Sequence, residues 1–141
     1  MKPTYIFEPE VPGGLGQRTQ MDCSVHPPRV HSLHFVFDGW LGDQIVESFP
    51  CYLVSSELAF SLARAGLTGC NLAEADVETS DQFKEMYPEL ILPPFKWLQI
   101  VGKPAESDLY ITSDNRLAGS QKALDLILAT NPMAFEYREV R

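Results

Sequence analysis

The chain has 141 residues, of which 45% are apolar and 21% charged, near the averages for soluble globular proteins. With 19 acids against 11 bases it carries a formal net charge of −8, which argues against direct attachment to nucleic acid or an anionic membrane, because phosphate contacts need Lys and Arg. No run approaches the roughly 20 apolar residues of a membrane-spanning helix, and three widely spaced cysteines (Cys23, Cys51, Cys70) argue against a disulfide framework and for a reducing cytoplasm.

In chain order, "TYIF" reads as a terminal strand. "GGLG" at 13–16 lacks the strand-loop-helix context and the following Lys-Ser/Thr of a phosphate loop, so it reads as a flexible turn. "DCSVHPPRVHSLH" at 22–34 holds Cys23, His26, His31 and His34, all three histidines of the chain. Structural zinc wants four ligands in a tetrahedron, usually as two close pairs separated by a loop. Here the candidates crowd into one proline-bent extended stretch, where His31 and His34 point to opposite faces. Loop and strand-edge histidines are the expected reading. A small metal-binding domain or metal-dependent enzyme using Cys23, His26, His31 and His34 is the alternative.

"LHFVF" places Leu33, Phe35 and Phe37 on one face of a strand. "FDGWLGDQIVES" follows as a turn. Asp38, Asp43 and Glu47 carry oxygen donors but lack the regular spacing of a calcium loop, while Trp40 among acids has the composition of an interface anchor. "CYLV" reads as a buried strand, leading at Ser55 or Ser56 into a helix with Leu58, Ala59, Leu62 and Ala63 on one face and Gly66 at its end. The acids at 74–89 read as a solvated face, and "TSDQFKEMYP" as a short helix boxed by Thr79 and Gln82. "KWLQIVG" and "DLYIT" form an expected long hairpin. Ser120 caps a second main helix carrying Ala123, Leu124, Ile127 and Leu128 and stopped by Asn131-Pro132; "AFEYREV" is a closing strand. Ser55 to Gly66 and Ser120 to Asn131 are equal steps, a faint hint of internal duplication.

The expected fold is α+β, one domain over 1–141, with a mostly antiparallel sheet, two main helices and one short helix. No nucleophile-base-orienter set and no G-x-S-x-G elbow emerges, so an enzyme is not expected, and no cofactor. Residues 38–89 hold ten acids against Arg64 and Lys84, and so carry all the net charge. Such a segment favours a basic protein partner or a cation by steering, or serves solubility alone as a solvated acidic surface.

Taken together, "GGLG", "HPPRVHSLHFVFDGWLGD", "ESFPCYLVSSELAFSLARAGLTG", "SDQFKEMYPELILPPFKWLQIVGK" and "SQKALDLI" resemble the bacterial immunity proteins of polymorphic toxin systems, in the group typified by an immunity protein from Myxococcus. A related group carries paired CxxC motifs; this chain has none, so no zinc site is brought over from it. The resemblance implies a non-catalytic cytoplasmic protein that binds and neutralises a cognate protein toxin, a toxin–antitoxin pairing. An acidic inhibitor suits a basic toxin, since it can occupy a phosphate-binding groove. Asp38, Trp40, Asp43, Glu47, Asp76, Glu78 and Asp81 are the candidate partner-binding residues. The identity of the toxin and the oligomeric state stay open at this point.

Overall fold

The computed structural model describes residues 2–140. Thirteen strands and three helices follow one another: β1 (Thr4–Glu8), β2 (Gly13–Leu15), β3 (Gln20–Asp22), β4 (Arg29–Ser32), β5 (His34–Phe37), β6 (Ile45–Ser48), β7 (Cys51–Ser55), α1 (Ser56–Arg64), β8 (Cys70–Ala73), β9 (Asp76–Thr79), α2 (Asp81–Met86), β10 (Phe95–Ile100), β11 (Leu109–Ile111), β12 (Leu117–Ser120), α3 (Gln121–Leu128) and β13 (Glu136–Val140). The fold is α+β and mostly sheet. Two sheets have four strands, ordered β6-β7-β10-β8 and β11-β12-β1-β13; β2-β5-β9 and β3-β4 are smaller. Among the strands, β5 and β9 pair in parallel and the other pairs are antiparallel.

The two four-stranded sheets repeat one design. A hairpin (β6–β7 or β11–β12) ends in a serine that turns the chain into a helix. Ser55 and Ser120 both sit in extended backbone and accept from the backbone N–H three residues on, at Leu58 and Ala123. Each also donates its own N–H to the carbonyl of the residue before the partner strand (Gln44 or Asp108, 2.8 Å), and its hydroxyl to that residue's side chain (2.7 Å). Both helices are followed by a left-handed residue, Gly66 (φ 66) and Asn131 (φ 56), the two residue types that tolerate that conformation best. The returning strand then takes the free edge. Ala73 faces Trp97, two residues past the Phe95–Ser55 pair, and Arg138 faces Ile6, two residues past the Thr4–Ser120 pair. Thus β1, at the start of the chain, completes the repeat that β11 begins.

The repeats also hold each other. Asp43, just before the first hairpin, accepts backbone N–H bonds from Met133, Ala134 and Phe135 after α3. Asp108, just before the second, accepts from the Thr68 N–H and hydroxyl after α1. Helices α1 and α3 pack on their own sheets and on each other. Tyr52, Val54 and Leu98 meet Tyr5, Phe7 and Leu117 with Leu58, Leu62, Leu124 and Ile127 in one core. The apolar run "CYLV" has no polar alternation because β7 is buried on both faces. Cys51 and Leu53, with Phe95 and Trp97, look the other way, onto Leu33, Phe35, Phe37 and Phe83.

Several expectations are corrected. "KWLQIVG" does not pair with "DLYIT": β10, apolar on both faces, takes a central place between β7 and β8, and β11 pairs with β12 through the Thr112–Arg116 turn. "GGLG" is not a loose turn, because Gly13 to Leu15 form a strand against Phe37 to Phe35. The α2 cap is Ser80, whose hydroxyl accepts the Phe83 N–H, since Thr79 is occupied as the last residue of β9. The stretch 22–34 is not one extended lead; it folds back as the β3–β4 hairpin before entering β5.

Candidate functional site

The seven candidate residues separate into four places. Asp38 is exposed at the end of β5, where its N–H donates to the Pro12 carbonyl. Trp40 is half-buried: its indole N–H donates to the Asp43 carbonyl (2.8 Å) and its ring meets Phe95 edge-on at 6.0 Å. Asp43 is 1% exposed, so it is a buried tether for the 133–135 backbone and presents nothing to a partner. Its acidity in the sequence gave no sign of this, as three backbone donors some ninety residues away supply its solvation.

Glu47 is half-buried on β6 opposite Tyr52, where burial first and the Glu8 charge second push its carboxyl up to about 7. Asp81 is exposed in the first turn of α2. Asp76 and Glu78 stand on β9, gripped by Arg18 at 2.7 and 3.3 Å. The Arg18 hydrogen bond holds Asp76 below its usual range, ahead of the charge attraction of Arg18.

His34 joins that last group and was missed as a buried residue. Arg18 donates its backbone N–H to Nδ1 (3.2 Å), so the ring proton sits on Nε2 and goes to Glu78 Oε1 (2.5 Å). Arg18 Nη2, 3.0 Å from Nε2, then lies beside that bond without adding another. A side chain at Gly16 would collide with the His34 ring, which is why glycine is needed there. Both ring nitrogens are taken, so His34 has no lone pair for a metal. His26 lies instead near Phe49, His31 is on β4, and Cys23 is exposed. Among the described residues no group of three or more His, Cys, Asp or Glu is placed to hold a metal ion. Burial lifts the Cys51 thiol to about 12, far from a reactive thiolate.

The features that do converge are loops. Trp40, Gly42 and Gln44 face Ile91 to Pro94 and the start of α1 (Ser55, Ser56, Glu57) across a cleft of about 550 Å³. Leu41 is 65% and Ile91 87% exposed beside it. Glu57 lines the same cleft, and Asp38 and Glu89 are exposed acids that precede Leu41 and Ile91 in the chain. The 38–44 loop is fixed from beneath by two buried carboxylates: Glu10 Oε2 accepts the Leu41 N–H (2.7 Å), and Asp43 ties the loop to 133–135. The sequence marked Trp40 and Asp38 here but not Leu41, Ile91 or Glu10, because nothing local shows which loops meet.

Glu10 is 7% exposed and its Oε1 has no hydrogen-bond partner. Burial raises its carboxyl above the usual range, against the lowering pull of the Leu41 N–H. A buried charge with one unsatisfied oxygen beside Asp43 costs free energy. Glu10→Gln keeps an acceptor for Leu41 and removes the charge. It should raise stability by about 1 kcal/mol at pH 8, read by urea unfolding; a loss of stability would show that Glu10 is better compensated than its contacts indicate.

No protein-family model matches this chain, and neither a curated protein nor a solved structure is significantly similar to it. Among the described residues no helix is long and apolar enough to cross a membrane.

Proposed function

We propose that this chain is a non-catalytic, cytoplasmic immunity-type protein, one domain over 1–141, that neutralises a cognate toxin through the face built from 38–44, Glu57 and 89–94. The observation that carries this reading is the exposure of Ile91 in a Trp40-walled cleft and of Leu41 next to it, Leu41 being on a loop that buried Glu10 and Asp43 hold in place. Large apolar side chains held rigid in water cost free energy unless a partner covers them, and a pre-organised loop loses little entropy on binding. Asp38, Glu57 and Glu89 add an acidic surround, which favours a basic toxin by steering. Strands β7 and β10 serve both apolar cores, which supports the one-domain reading.

The test takes the gene that adjoins this one: expressed alone in a bacterial host its product should arrest growth, and co-expression of this chain should relieve the arrest. Wild type restores growth. Leu41→Asp with Ile91→Asp weakens toxin binding by roughly 100-fold, about 3 kcal/mol, and loses protection while circular dichroism stays native. Full protection by that double variant would move the face elsewhere; no protection by wild type would end the immunity reading. Reversing Asp38, Glu57 and Glu89 to Lys should slow association, most visibly at low salt. Trp40→Ala belongs in the same series, while Asp76, Glu78 and Asp81, which lie outside this face, serve as controls expected to change little.

A further inference from the structure

We propose that a second copy of this chain docks on the free edge of β8, strand to antiparallel strand, with the dyad at Leu72. This is independent of the toxin-binding face. The first reason is hydrogen-bond polarity. Val101 N–H donates to the Gly69 carbonyl at 2.8 Å, so residues 69 and 101 form a hydrogen-bonded pair of the β8–β10 ladder. By antiparallel alternation Asn71 and Ala73 also bond inward, across from Gln99 and Trp97. The N–H and C=O groups of Cys70 and Leu72 therefore point away from the sheet, and β10 is the one element that packs extensively on β8.

The second reason is that this edge lacks the usual guards against strand addition, which are charge, proline, bulges or cover. Cys70, Asn71, Leu72 and Ala73 are all uncharged. The other edges of the two large sheets are blunted: β13 carries Glu136, Arg138 and Glu139, β11 has three residues, and β6 is bridged by Glu10.

The third reason comes from the internal repeat. Between α1 and β8 lies an open cleft of about 420 Å³, lined by Ala59, Phe60, Ala63 and Leu72 and also by the paired Glu74 and Lys96. Phe60 at 64% exposure stands over it. In the second repeat Asp125 takes the place of Phe60, and Tyr137 takes the place of Leu72, with its ring against Tyr5 and Phe135. The first repeat thus presents an apolar ring over this edge where the second presents a charged residue, Asp125.

The charge of the edge selects the occupant. Glu74 is balanced within its own chain by Lys96, so the edge as a whole is neutral although the chain carries −8. A basic or acidic partner finds nothing to read there, whereas a second neutral edge matches it. Across a dyad at Leu72, Leu72 bonds to its twin and Glu74 faces the uncharged Cys70, so no like charges are opposed. The result is one eight-stranded sheet with two Phe60 rings beside the seam. The seam is short, below the area of a standard stable interface, so the dimer is weak, with a dissociation constant on the order of 100 µM.

Sedimentation velocity on the full chain from low micromolar to millimolar concentration should show monomer passing to dimer. Leu72→Lys and Phe60→Lys should each shift that midpoint at least tenfold upward with native circular dichroism. Hydrogen exchange on the wild type gives a second measurement that needs no variant: the Cys70 and Leu72 amides should gain protection as concentration rises. Monomer throughout, a dimer untouched by both substitutions, or exchange at these two amides that ignores concentration would each overturn the proposal.

Discussion

Asp43→Ala should unfold this protein more readily than any other single change on its surface or loops, losing about 4 kcal/mol and lowering Tm by on the order of 10 °C. The side chain is fully enclosed and its two oxygens accept from the backbone of Met133 (2.5 Å), Ala134 (3.0 Å) and Phe135 (2.9 Å). Truncation leaves three N–H groups without acceptors in a place water reaches poorly, and unmade buried bonds cost more than made ones contribute. It also cuts the tie between the 38–44 loop and the segment that leads α3 into β13, so Phe135 loses its hold beside Phe7. Asp43→Asn keeps one acceptor oxygen and should lose about half as much. Equal losses for the two variants would place the effect in packing and not in these bonds. Because the tether also supports Leu41 and Trp40, Asp43→Asn should loosen the 38–44 loop as well, read as faster amide exchange at Leu41.

What the sequence disclosed, and what it hid, follows from the range of the forces involved. The helices were legible because their determinants are local: a capping serine, an apolar stripe and a left-handed terminator all fall within a dozen residues of each other, at 55–66 and again at 120–131. The equal spacing of these two segments was the visible trace of a repeat whose full extent needs the strand order, since β1 completes it from the opposite end of the chain. Strands β1, β5, β7 and β13 were readable from alternation or from apolar runs, but their partners were not, because pairing is decided by tertiary burial. That is how β10 came to be matched with β11. The site fared similarly. Trp40 and Asp38 stood out by type, whereas Asp43 and Glu47 looked like members of an acidic surface and are instead buried or half-buried. His34 looked like a strand-edge residue, yet Arg18, Glu78 and Gly16 enclose it through contacts that no sequence spacing reveals.

The other large effect expected is a pH dependence carried by Glu47. In the unfolded chain this carboxyl titrates near its ordinary value of 4.5, and in the fold burial and the Glu8 charge raise it to about 7. Between those values the native state holds the proton that the unfolded state has released, so stability must fall as pH rises through that window and stay reduced above it. The ceiling is about 3 kcal/mol, and partial exposure of the side chain brings it to about 1–2 kcal/mol. Asp76 and Asp108 work in the opposite direction at lower pH. The Arg18 hydrogen bond lowers Asp76; for Asp108, burial pushes upward but the hydrogen bonds from Thr68 and Ser120 outweigh it. Their contribution is present above the ordinary carboxylate range near 3.8 and is lost as pH falls below it. The two trends enclose a stability maximum near the ordinary carboxylate values, at about pH 4–4.5, and on its alkaline side thermal melts should give a higher Tm at pH 5.5 than at pH 8. Glu47→Gln should raise Tm at pH 8, leave it nearly unchanged at pH 5, and remove most of the slope between them. Parallel Tm-against-pH curves for wild type and Glu47→Gln would show that this carboxyl ionises at its ordinary value and that the slope originates in another group.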